Sequence, residues 1–281
     1  MLYPAIDPPY STVFTEIIDG IAQRLGATQV LACALPVDKA LPTLKACIEH
    51  QSANAVITLG RVALQTYESS GLTLPQVIGA LDLSPQTRPA AIGVSLAVDP
   101  ALLFSTLKRL APQTQRVFVV FNPDRERWII EQAQQAAPGF NLTLMRLEAR
   151  DLRTSAHQFL QMLEGAQAGT DAIWLTVDSQ LVDTQAILPV IIEQSWRQHL
   201  VVFSNNLEHA NLGVLFAVFP DNQKLGWRLA ELALQLDSHP DRRPGVEPLR
   251  AVKRALNLRV ANHLNLSITQ QVEKQFDLIF R

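Results

Sequence analysis

The residues able to do chemistry are few and scattered. The six histidines, His50, His157, His199, His209, His239 and His263, stand apart along the chain. Glu208-His209 comes nearest to a metal or acid–base pair, against the plainer reading of His209 as a histidine in a solvated loop. Asp178 and Asp183 have the spacing of paired carboxylates, yet Asp183 falls at an expected helix start, where the positive end of the helix dipole favours an acid anyway. The sequence has no G-x-S-x-G elbow, no P-loop and no G-x-G-x-x-G after a strand. No catalytic residue, metal ligand or cofactor is therefore assigned.

Binding chemistry is better represented. Gly60-Arg61 stands at a strand-to-helix turn, where glycine lets the backbone turn closely and the first helical N–H groups point outward unpaired. Arg61 adds a planar guanidinium that matches a carboxylate. The pair reads as an anion site or, equally, as a turn glycine followed by a solvated arginine. Asp178 either takes a ligand ammonium or caps the next helix. Tyr10 either stacks on a ligand or makes a hydrophobic contact at a helix entrance. Trp128, at a helix start beside a loop, is a candidate for exposure in a cleft, whereas Trp174, Trp196 and Trp227 read as core.

Short β-branched runs followed by helical periods position these groups. The spacing predicts strands over 2–4, 29–35, 55–59, 76–80 and 92–96, with helices over 11–25, 37–51, 61–69 and 100–110. Asp99 precedes the last of these and Pro100 opens it. A second series has strands over 117–121, 142–147, 172–177, 200–204 and 214–219, with helices over 125–137, 154–165, 181–198 and 222–236. A Pro-rich loop (Pro240, Pro244, Pro248), an extended segment over 255–260 and a helix over 269–280 complete the chain. Alternating strands and helices argue for parallel sheets covered on both faces. The stretch 81–89 is turn-rich, and a break near 81–98 divides the strands into two sheets of similar size, against the alternative of one sheet of nine; the last elements suggest that the chain returns to the first. In such sheets ligands bind at the carboxyl ends of the strands. Polar turns collect there: Tyr10, Gly60 with Arg61, Leu81 with Asp82, Asn122, Asp178, and Ser204 with Asn205.

The bulk numbers fit this plan. Of 281 residues, 48% are apolar and 18% charged, enough for full cores and against disorder. A net charge of −2 with scattered Lys and Arg leaves no basic face for nucleic acid; Arg242-Arg243 beside Asp241 reads as a solvated loop. Cys33 and Cys47 read as buried free thiols, with a disulfide as the alternative. No apolar stretch approaches the ~20 residues that span a bilayer. No charged n-region precedes an apolar h-region, so the protein is either cytoplasmic or a mature form with its export signal trimmed.

With these residues in view, the chain resembles the substrate-binding proteins of ABC transporters, in the branch that includes tryptophan- and aromatic-amino-acid-binding members. The resemblance is carried by YSTVFTEIIDG over 10–20, AVITLG over 55–60, IGVS over 92–95 followed by Asp99, and VFVVFNP over 117–123. It continues in GVLFA over 213–217, Asp221, Leu225-Gly226, Leu256-Asn257-Leu258, Ala261 and Leu264-Asn265-Leu266. It implies an α/β fold of two Rossmann-like lobes with parallel sheets and a three-crossover hinge, the type I periplasmic binding protein, with lobes over 1–93 plus 221–248 and 94–220 plus 249–281. It implies ligand held in the interlobe cleft by the turns at Tyr10, Gly60–Val62, Leu81-Asp82, Asn122, Asp178 and Ser204-Asn205, and closure of the lobes biased by that ligand. It further implies export to the periplasm or cell surface and docking onto a membrane permease. The chain departs from its relatives at Gly60-Arg61-Val62, where they tend to carry small hydroxyl residues, and at Asp124-Arg125-Glu126-Arg127, which is more charged. The expected function is solute binding for uptake, with a small carboxylate-bearing ligand, an amino acid in the leading case. The alternative is a sensing module that docks onto a membrane receptor such as a histidine kinase.

Overall fold

In the computed structural model, which describes every residue except Pro9, 50–52 and 239–244, the chain forms two units and passes between them three times. Unit 1 holds Met1–Ala97 and Pro220–Val252; unit 2 holds Val98–Phe219 and Lys253–Arg281. Unit 1 begins with β1 (Leu2–Pro4), α1 (Tyr10–Leu25), β2 (Cys33–Leu35), α2 (Ala40–Ile48), β3 (Val56–Leu59), α3 (Gly60–Ser70), β4 (Gln76–Gly79) and β5 (Ile92–Val98). Unit 2 follows with α4 (Pro100–Leu110), β6 (Arg116–Phe121), α5 (Arg127–Ala136), β7 (Thr143–Glu148), α6 (Leu152–Gly165), β8 (Asp171–Leu175), α7 (Leu188–Gln198), β9 (Val201–Ser204), α8 (Leu207–Leu212) and β10 (Phe216–Pro220). The chain then returns to unit 1 as α9 (Asn222–Ser238) and β11 (Gly245–Leu249) and ends in unit 2 as β12 (Val252–Asn257), α10 (Leu258–His263), α11 (Gln270–Glu273) and β13 (Leu278–Phe280).

The unit 1 sheet runs β11-β5-β4-β3-β1-β2 and the unit 2 sheet β13-β12-β10-β9-β8-β6-β7. Pairing is parallel from β2 through β1, β3 and β4 to β5, and from β7 through β6, β8 and β9 to β10. Parallel strands need covering on both faces, which is why β3 and β8 are buried along their whole length. At the amino end of unit 2's sheet, Arg116 reaches across from β6 with two nitrogens, 2.8 and 2.7 Å from the carboxylate of Asp171 on β8. This fork compensates a carboxylate that is only 1% exposed.

The covering helices are placed by side-chain size. In unit 1, α1 and α9 cross where a Cβ on Gly20 would lie 2.0 Å from the Gln223 carbonyl oxygen and one on Gly226 would lie 2.1 Å from that of Ile17. Hydrogen as a side chain permits this close approach, and Ile17 and Ile21 are buried completely beside it. On the other side of unit 1, Leu2, Leu35, Leu44, Val56 and Tyr67 make an apolar cluster. Cys33 and Cys47 are joined there as a disulfide that ties β2 to α2, with Cα atoms 6.2 Å apart; the reading of two free thiols is corrected. The unit 2 cluster gathers Val120, Phe159, Ile173, Leu175, Leu188 and Val202 from its strands and helices.

Several expected elements are revised. The strand over 29–35 contracts to β2 behind a 3-10 turn at Ala27–Gln29. The helix over 37–51 contracts to α2, its far end reaching residues outside the described ones. The helix expected from 181 begins only at Leu188, with Pro189 as the second residue of α7. The extended segment over 255–260 is cut at Asn257, whose side chain accepts from the Val260 N–H and starts α10. The closing helix over 269–280 is one short helix and a strand, because the Asp277 N–H donates to the Arg254 carbonyl, the Arg254 N–H donates to the Asp277 carboxylate, and β13 pairs with β12. α8 and β11 were not expected. Trp174 is buried at 1% exposure, but Trp196 and Trp227 are each 40% exposed and are not core. His50, His239, Pro240 and Pro244, with Arg242-Arg243 and Asp241, lie outside the described residues.

Candidate ligand-binding site

In unit 1, β3 runs into α3 without a loop. Gly60 has φ 78°, a left-handed conformation that disfavours any side chain, and a Cβ there would press on the Phe14 ring at 3.3 Å. No side chain caps the start of α3, so the outward N–H groups of its first turn are left to solvent or ligand. Arg61 is exposed, and no ion pair joins it to another described residue. Val62 turns toward the cluster containing Leu2 and Tyr67, so it offers its backbone to this edge. Beside this turn, Ala80 directly follows β4 with φ 56°, and its carbonyl oxygen lies 3.9 Å from the position of a Gly60 Cβ. Alanine in the left-handed region is strained, and sequence reasoning did not single it out. Leu81 packs on Leu64, Ile78 and Leu83, while the following Asp82 is exposed. Tyr10, the first residue of α1, is 71% exposed.

In unit 2, β6, β8 and β9 are neighbours, so Asn122, Asp178, Ser204 and Asn205 are brought to one sheet edge. Asn122 is buried, and its Oδ1 accepts from the Asp124 N–H at 3.0 Å. Its backbone N–H donates to Glu126 at 2.9 Å. Asp178 is 8% exposed and accepts the Gln180 N–H at 2.9 Å. Its backbone carbonyl receives Leu181 and Val182, so it holds a turn and not the helix start expected. The Arg125 guanidinium stands at 3.4 and 3.5 Å from its two oxygens and remains more than half exposed. This is a long, loosely held pair on a carboxylate that is otherwise enclosed.

Ser204 is fully engaged. Its hydroxyl donates to the Leu175 carbonyl at 3.0 Å, accepts from Asn206 N–H at 3.0 Å and meets His209 Nδ1 at 2.8 Å. With its own proton on Leu175, Ser204 receives a proton from Nδ1, which sets the His209 tautomer. His209 is 2% exposed, not a solvated loop residue, and burial lowers its pKa to about 4, so it is neutral near pH 7. Asn205 Oδ1 accepts from Trp174 Nε1 at 3.2 Å. Trp128 is buried at 9%. Thr176, absent from the sequence-derived site, sits on this edge at 2% exposure with a hydroxyl lacking a hydrogen-bond partner among the described residues. No group of three or more metal-binding side chains occurs among the described residues.

Two units with parallel sheets, three chain passages and polar turns at the carboxyl edges define the type I periplasmic-binding-protein fold. Solved structures agree. The chain is similar to the ABC domain in complex with L-Trp from Streptococcus pneumonia, at 18% identity and TM-score 0.61, covering 99% of this chain and 98% of that one. CD0873, a substrate binding protein with adhesive properties from Clostridium difficile, is matched in its ligand-free, open structure at 12% identity and TM-score 0.70, again over 99% and 98%. A LacI transcriptional regulator from Lactobacillus brevis matches at 13% identity and TM-score 0.53, over 89% and 97%. At these identities the likeness is one of fold. No known family model and no curated protein matches the sequence.

Proposed function

We propose that this chain is the solute-binding component of an ABC-type uptake system, and that its ligand is a small carboxylate-bearing molecule, an amino acid in the leading case. The observation that carries this reading is the opposite chemistry of the two sheet edges. Unit 1 offers an uncapped helix start with Gly60 and Arg61, suited to a carboxylate. Unit 2 offers the enclosed Asp178 carboxylate, whose guanidinium partner is distant enough for a ligand ammonium to replace it. The solved relative with L-Trp bound supports the amino-acid choice. Export to the periplasm or cell surface, with a membrane permease as partner, follows from the same resemblance and is supported by the Cys33–Cys47 disulfide, since such bonds persist in oxidising compartments. The chain binds its ligand without turning it over.

Thermal unfolding against amino acids, organic acids, sugars and nucleosides tests this. A ligand that binds only the folded form at a hundredfold excess over Kd adds roughly 2.7 kcal/mol, a readily visible shift. Amino acids or organic acids are expected to give it. A shift from sugars or nucleosides alone, or chemical conversion of the ligand, would overturn the reading.

A further inference from the structure

Resting on that reading, we propose that Thr176 is a further ligand-binding residue, its hydroxyl oxygen accepting a hydrogen bond from the ligand's ammonium group beside Asp178. Among the described residues, two buried side-chain polar atoms lack a hydrogen-bond partner, the hydroxyls of Thr114 and Thr176. A buried hydroxyl in that state has given up water without compensation, and valine would fill the same space without the cost. Thr176 directly follows β8 at the edge where Asn122, Asp178 and Asn205 gather. Exposure alternates along this stretch: Thr176 is 2%, Val177 45% and Asp178 8% exposed. The chain bends at Val177, the exposed residue of the three, so that Thr176 and Asp178 both turn inward at this edge while Val177 faces solvent.

An ammonium has three donors. Asp178 still has acceptor capacity after receiving Gln180 and the distant Arg125. Ser204 has none left to give, being committed to Leu175, Asn206 and His209. Thr176 supplies the uncommitted acceptor. Thr114 precedes β6 and so lies at the opposite edge of the same sheet; the nearby Lys108 ammonium donates to its backbone carbonyl. It is therefore an internal control, with the same unpaired hydroxyl far from the site.

The test uses the full chain carrying Thr176→Val, Thr176→Ser or Thr114→Val. Unliganded melting midpoints are recorded, and the amino acid that stabilises the wild type is titrated beside its 2-oxo acid, which lacks the ammonium. Both valine variants are expected to melt at or above the wild-type temperature. Thr176→Val weakens the amino acid by about tenfold, the loss of roughly one hydrogen bond to a charged group, and leaves the 2-oxo acid unchanged. Thr176→Ser and Thr114→Val keep wild-type affinity. Wild-type affinity for the amino acid in Thr176→Val overturns this inference alone. Failure of every amino acid to bind the wild type overturns the amino-acid choice and this inference together; failure of the organic acids as well overturns the functional reading. If Thr176→Val does not fold, Thr176→Ala carries the same comparison.

Discussion

Gly60 is the residue at which sequence and structure speak most alike. Its place between β3 and α3 is legible in the sequence, and φ 78° with the Phe14 ring at 3.3 Å shows why a side chain is not tolerated. Gly60→Ala is expected to lower stability by about 1–2 kcal/mol, read as a reduced denaturant midpoint. Arg61→Ala should leave stability within about 0.5 kcal/mol, as exposed substitutions do, while weakening a carboxylate ligand about tenfold, the scale of one charge-assisted hydrogen bond. Unchanged affinity would return Arg61 to the solvated surface. His209 carries a pH prediction. Its folded pKa of about 4 lies below the unfolded value of 6.5, so the unfolded chain binds the extra proton. Its stabilising contribution is full above pH 6.5, falls as pH drops from 6.5 toward 4, and reaches a few kcal/mol in all. Denaturation at pH 7 and pH 4.5 should show a larger loss for the wild type than for His209→Leu; equal losses would contradict the assignment. The surroundings of His209 and Thr176 were not visible in the sequence. Nothing in Glu208-His209 announces that α8 folds His209 back onto Ser204, and a threonine ending a strand does not reveal that its hydroxyl will lack a partner.

At the scale of elements, period and turn chemistry located most helices and strands, because buried parallel strands and amphipathic helices leave strong patterns. Two of the misses share a cause, a local signal outweighed by contacts distant in sequence. The pattern over 269–280 was helical enough, yet β12 offered the segment a sheet edge and β13 formed there. β11 arose in a Pro-rich stretch, where an edge position tolerates Pro248 in the strand. Two missed helices did carry a signal: Asn206 caps α8 and Asn257 caps α10, the asparagine start that precedes many helices. The crossing of α1 and α9 yields a sharp expectation. Gly226→Val places atoms against the Ile17 backbone, where the Cβ alone would stand 2.1 Å from a carbonyl oxygen. The substitution should cost more than about 2 kcal/mol, since the backbones must separate; a midpoint within error of wild type would show that the helices adjust freely.

On the scale of the whole molecule, the chain contributes to unit 1, unit 2, unit 1 and unit 2 in turn, an order that local sequence patterns suggest only through the elements left over after the second series. Unit 1 alone holds the disulfide, which closes a 14-residue separation. In the chain-entropy account such a loop restrains the unfolded state by roughly 3 kcal/mol. Reductant should therefore lower the melting temperature of the wild type and leave that of a Cys33→Ala/Cys47→Ala variant unmoved. The fold does not choose among functions by itself, as its likeness to a transcription regulator shows; the choice rests on what the two sheet edges bind. Isothermal titration of the purified protein with single L-amino acids, followed by recovery and analysis of the ligand, tests that most directly. Saturable one-to-one binding of at least one of them, abolished or strongly weakened in Asp178→Asn and with the ligand recovered intact, is the predicted result. Absence of heat from every amino acid would contradict the choice of an amino-acid ligand, and recovery of a converted product would contradict the binding role itself.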